Sequence, residues 1–169
     1  MKKNGQIKKE CLASYISAGC ELSEETAVAH VHQGGTLAMP EHFGLYDRLG
    51  RRLQMNAARV AFALQKRKPL LAEELAKAKS EEEAKRILLS LLDLVDRERR
   101  KGWICSDYAF LLNLGYEEGR AFRIDIGSYT RVAQGFSWAN IAKPVDRYLE
   151  RNEDAALQDW WRGEIAKRL

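Results

Sequence analysis

Lys101-Gly-Trp-Ile-Cys105-Ser-Asp107-Tyr-Ala-Phe-Leu-Leu-Asn113-Leu-Gly-Tyr-Glu-Glu-Gly-Arg120-Ala-Phe-Arg-Ile-Asp125-Ile-Gly127 is the stretch that decides how this chain folds. The apolar run Trp103-Ile-Cys105 leads into a loop holding Asp107 and Asn113. Two strand-like runs follow, residues 112–116 and 121–124, with Glu117-Glu-Gly-Arg120 as the turn between them. Asp125-Ile-Gly127 comes next. Two carboxylates and an amide in this order suit phosphoryl transfer onto a hydroxyl. One carboxylate orients the attacking hydroxyl and accepts its proton, the amide oxygen holds a magnesium ion, and the second carboxylate bridges metal and phosphates. A glycine after that carboxylate permits a backbone turn that a side chain would obstruct. Taken singly, Asn-x-Gly and Asp-x-Gly are also ordinary turn sequences.

Immediately upstream lies the strongest local signal in the chain. Ser80-Glu-Glu-Glu83 is a capping box, in which the serine hydroxyl accepts from a backbone N–H three residues on and Glu83 reaches back. Ala84, Ile87, Leu88, Leu91, Leu92 and Val95 then recur at steps of three and four. They predict a long helix with one apolar face turned to the core. Basic residues at 97–101 complement its negative C-terminus, and Gly102 ends it.

A capped long helix followed by this loop, hairpin and Asp-x-Gly resembles the C-terminal lobe of the protein-kinase-like superfamily, over about residues 80–130. The wording from Asn113 to Tyr129 is also similar to uncharacterised kinase-like proteins of intracellular bacteria. The resemblance implies that Asp107 matches the catalytic aspartate, Asn113 the metal asparagine, and Asp125-Ile-Gly127 the Asp-Phe-Gly turn, with Mg and ATP as cofactors. Three departures stand against activity. Cys105-Ser106 replaces the His-Arg pair that braces the loop in kinases, and Asn113 lies six positions after Asp107 rather than five. No Gly-x-Gly-x-x-Gly loop or Val-Ala-Ile-Lys-like strand occurs before the long helix. The implied site is therefore a degenerate one, with no cofactor expected.

Further out the signals are shorter. Residues 1–10 read as a disordered basic N-terminus and 11–169 as one domain. A helix is predicted over 10–19, ended by Gly19, and a strand over 27–33, ended by Gly34-Gly35. Extended runs 43–47 and 51–55 flank Arg48-Leu49-Gly50 as a hairpin. Asn56 is expected to cap a helix through 57–65, and Pro69 to sit in the first turn of another over 70–79. Two C-terminal helices are predicted, one opening near Pro144 and one from about Asp154. The fold class is α+β, mainly helical.

The chain has 169 residues, 46% hydrophobic and 31% charged. That length can bury about 70% of the unfolded surface, so the core needs no disulfide or metal. Cys11, Cys20 and Cys105 form no Cys-x-x-Cys pair, which fits a reducing, cytoplasmic setting; export by a non-classical route stays open. No apolar run is long enough to span a membrane. The net charge of +4 is mild, and acids interrupt two of the three basic clusters, so nucleic-acid binding is not expected. His30 and His32 fall on one strand face, with His42 as a third nitrogen donor for zinc, but a surface pair of histidines explains them more simply. These readings point to a pseudokinase-like remnant that acts by binding a protein or itself. Apolar surface is expected near residues 103–108. An active magnesium-dependent phosphotransferase and a basic nucleic-acid-binding domain are the alternatives.

Overall fold

In the computed structural model, which describes residues 9–32, 42–107, 109, 111–131 and 136–169, the chain opens on α1 (Lys9–Glu21). The helix runs through Gly19 instead of stopping there. A Cβ at Gly19 would lie 2.3 Å from the Val31 Cγ2, so glycine serves a close approach between helix and strand, not a helix end. A single turn, α2 (Ser23–Thr26), leads into β1 (Val28–His32). The expected Gly34-Gly35 stop and the N-terminal segment 1–8 lie outside the described residues, while Lys9 and Glu10 already belong to α1.

β2 (His42–Tyr46) and β3 (Arg52–Asn56) form the anticipated hairpin, pairing antiparallel with Leu45 opposite Leu53. Its turn is built by Asp47, whose carboxylate accepts from the Leu49 and Arg51 N–H groups at 2.8 and 2.9 Å, and by Gly50 at φ +77°. The helix expected over 57–65 does not form. Asn56 caps only the short 3-10 turn Ala57–Arg59, accepting from the Ala58 N–H at 2.9 Å, and the chain then enters β4 (Phe62–Gln65). Pairing with β1, and Gln65 donating to the Thr26 and Arg123 carbonyls, overrides the helix propensity of the alanines.

α3 (Leu71–Ala76) precedes α4 (Glu81–Arg100). Ser80 caps α4 as predicted, its hydroxyl accepting from the Glu83 N–H at 3.2 Å; Glu83 reaches back one residue further, to the Lys79 N–H. β5 (Trp103–Cys105), β6 (Leu114–Glu117), β7 (Arg120–Arg123) and β8 (Tyr129–Arg131) follow. β6 and β7 pair as a hairpin and β5 pairs with β8, both antiparallel. α5 (Trp138–Arg151) and α6 (Ala155–Ala166) close the chain, α6 capped by Asp154 as expected. Pro144 sits inside α5 rather than at its start. Trp138, Ile141, Ala142, Val145 and Leu149 are all buried on one face of α5, and that burial outweighs the roughly 3 kcal/mol cost of an interior proline.

The result is a mixed α+β chain with more helix than strand. Its strands form four two-stranded antiparallel sheets among the described residues. One core gathers the apolar face of α4 with α3, α5, α6 and the β6–β7 hairpin, around Leu88, Leu91, Leu92, Val145 and Trp161. A second, smaller core holds Leu22, Val28, Trp103, Cys105, Ile126 and Tyr129. It packs α1 and β1 against β5 and β8, the two strands that lead into the Asp107 loop and out of the Asp125 turn.

Candidate functional site

β5 and β8 are paired with Cys105 opposite Tyr129, so the loop leaving β5 and the turn entering β8 start from one piece of sheet. Backbone bonds stitch them together. The Ser106 N–H donates to the Ser128 carbonyl at 2.9 Å, and the Ile124 N–H donates to the Asn113 carbonyl at 2.8 Å. Inside the loop, Asp107 Oδ1 accepts from the Ala109 N–H at 2.9 Å, and the Ala109 carbonyl accepts from both Leu112 and Asn113 at 3.1 Å. This tight turn absorbs the sixth position. It brings the Asn113 amide nitrogen to 2.7 Å from Asp107 Oδ2. A carboxylate oxygen only accepts, so the Asn113 nitrogen must face Asp107 and its carbonyl oxygen is left for another partner. Asp125 is exposed and forms its own turn, Oδ1 accepting from the Gly127 N–H at 3.2 Å, while Ile126 beside it is fully buried. Among the described residues Asp125 makes no side-chain bond to Asp107 or Asn113.

Beneath this layer sits a charged cluster that sequence reasoning missed. Arg123, 1% exposed, donates from Nε to Glu98 Oε1 at 3.2 Å and from Nη2 to Oε2 at 2.8 Å. The Tyr129 hydroxyl donates to the same Glu98 Oε1, and Glu98 is 2% exposed. Burial by itself lowers the Arg123 guanidinium, but the charge of Glu98, the Cys105 and Tyr129 groups and the Glu98 hydrogen bonds together outweigh it and leave the group above its ordinary value. Burial pushes the Tyr129 phenol well above 10.0, with Glu98 adding to the effect. The Cys105 thiol is raised by burial and partly offset by Arg123. A signal existed. Glu98 continues the 91, 95 spacing of the apolar face of α4, and Arg123 alternates with the buried Ala121 on β7. Each is a charge at a position whose pattern demands burial. From α1, the Ser14 hydroxyl donates to the Ile126 carbonyl and accepts from the Tyr129 N–H at 3.0 Å, pinning the turn from the other side.

The other sequence candidates disperse. His30 and His32 share a face, with rings 6.3 Å apart, but His32 is buried against Phe62 at 4.9 Å and so is no surface histidine. The sheet packing of Phe62 buries it. His42 stands on the separate hairpin beside Asn56. No group of three His, Cys, Asp or Glu side chains among the described residues could hold a metal ion. Cys20 is exposed and Cys105 buried, both as free thiols. The basic clusters are partly neutralised by Arg51–Asp47 at 2.7 Å, Arg97–Asp93 at 3.1 Å and Lys101–Glu25 at 2.8 Å. Apolar surface was expected near residues 103–108, yet Trp103 and Cys105 are buried by the second core; Tyr108 lies outside the described residues. The large exposed apolar residues among the described ones are instead Leu45, Tyr46, Leu49 and Leu53 on the β2–β3 hairpin, Leu64 on β4, Leu89 on α4, Leu112 in the loop before Asn113, and Leu169.

No protein-family model, curated protein or solved structure matches this chain. Among the described residues, no helix is long and apolar enough to cross a membrane.

Proposed function

We propose that residues 103–131 form a kinase-like phosphoryl-transfer site that works with magnesium and ATP. Asp107 would orient an acceptor hydroxyl and take its proton, Asn113 and Asp125 would supply oxygen ligands to the ion, and the Gly127 N–H closes the Asp125 turn. The observation that carries this reading is the Asp107–Asn113 hydrogen bond, made across a loop one residue longer than the kinase pattern. The donor set fits the ion, because magnesium takes one or two carboxylates with further oxygen ligands and keeps several waters. Bound there, magnesium would neutralise the charge that builds on the transferring phosphate. Each oxygen of Asp107 already accepts one N–H and keeps a second lone pair, so its orientation is set without closing it to a substrate hydroxyl. The glycine-rich loop and strand lysine of kinases have no counterpart in these 169 residues.

Thermal shift tests the reading. Magnesium with ATP is expected to raise the unfolding temperature of the wild type, and Asp125→Ala or Asn113→Ala to abolish the rise. No shift at millimolar nucleotide would overturn it.

The second reading is a kinase-like remnant that binds a protein or itself without phosphotransfer. It is supported by the β2–β3 hairpin, where Leu45 and Leu53 stand directly opposite each other and both are exposed. Sedimentation separates the two: self-association weakened by Leu53→Ser is expected here, and a strict monomer at high concentration counts against self-association.

A further inference from the structure

We infer that Glu98, acting through Arg123 and Tyr129, is the positioning residue that sets the turn carrying Asp125. This cluster braces the site in place of the His-Arg pair that is missing ahead of Asp107. Its functional consequence rests on the magnesium–phosphate reading above; its placement rests on geometry alone.

Arg123 is the last residue of β7, two before Asp125, and Tyr129 is the first of β8, four after it. Both ends of the Asp125 segment therefore converge on one carboxylate. That carboxylate stands on α4, a 20-residue helix held by the main core. Glu98 Oε1 receives two donors and Oε2 one, so a buried charge that would otherwise be costly is well engaged. Stability does not demand such a cluster, since apolar residues of similar volume commonly replace a buried ion pair at no loss. What the cluster adds is direction. Three hydrogen bonds of set geometry allow few positions for the two strand ends, and the turn between them inherits that restriction. Ser14 ties the same segment to α1.

Tyr129→Phe tests this with one hydroxyl removed and the ring kept. The magnesium concentration that half-saturates the ATP thermal shift is expected to rise about ten-fold, the usual scale for groups that orient metal ligands. The Gly127 amide, bonded to Asp125, is expected to exchange about ten-fold faster while the Leu91 and Leu92 amides in α4 keep their rates. Unchanged Gly127 exchange, or equal acceleration in α4, overturns the inference. An unchanged magnesium requirement in a wild type that does respond overturns its functional part. A wild type that never responds to magnesium and ATP sinks the phosphate reading and leaves the exchange rates to decide the brace. Glu98→Gln is expected to show the same local pattern more strongly, and a Gln variant indistinguishable from wild type in both readouts also overturns it. Should that variant not fold, Tyr129→Phe decides alone.

Discussion

Cys105 and Tyr129 face each other across the β5–β8 register, both buried, and both hold their protons beyond the ordinary range. An acid whose folded pKa is raised stays protonated in the fold after the unfolded chain has begun to release its proton. Its contribution is complete below the unfolded pKa and is lost as pH rises toward the folded one. Stability is therefore expected to begin falling near the ordinary thiol value of 9.0 through Cys105, and to fall more steeply past 10.0 through Tyr129. Urea unfolding from neutral pH to about 11 checks the sign. Cys105→Ala should flatten the first part of the slope and Tyr129→Phe the second. The same residues show why the site was only half legible. Asp107, Asn113 and Asp125 stand out because their order matches a chemistry. Glu98, Arg123 and Tyr129 lie on three separate elements, and no local pattern joins them.

Three features written locally came out as read, whereas Pro69, expected in the first turn of α3, lies ahead of its extended N-cap Leu70. The α4 cap at Ser80, the Asp47 and Gly50 turn and the Glu118-Gly119 turn, where both residues have positive φ, each depend on a few neighbours in sequence. Elements whose form depends on distant partners did not. Residues 62–65 are a strand because β1 lies beside them, and α5 extends before Pro144 because its apolar face has a core to fill. Gly19 is the sharpest case. In an open helix Gly19→Ala would help by up to about 1 kcal/mol. Against Val31 the new Cβ is 2.3 Å from a methyl carbon, and overpacking of this kind costs about 1–3 kcal/mol. Contact outweighs propensity, so Gly19→Ala is expected to destabilise by about 1 kcal/mol, or about 2–4 °C in thermal midpoint.

At the scale of the molecule, stability is concentrated around α4, while the β2–β3 hairpin stands with most of its side chains in solvent. Leu91→Ala, in the fully buried face, is expected to cost about 2–5 kcal/mol in urea unfolding. Leu53→Ser, half exposed, is expected to stay within about 0.5 kcal/mol. A large loss at Leu53 would mean that the hairpin carries a covered face. By itself the sequence determined what nearest neighbours can settle: the α+β class, the long capped helix, the hairpin turns, and the order Asp107, Asn113, Asp125. Those features follow from backbone preference and spacing, which act over a few residues. Only the tertiary structure decided which strands pair, that the Ala109 turn closes Asn113 onto Asp107, and that Glu98 joins Arg123 and Tyr129 under Asp125. Those outcomes depend on burial and on hydrogen bonds between residues far apart in the chain, which no local pattern encodes.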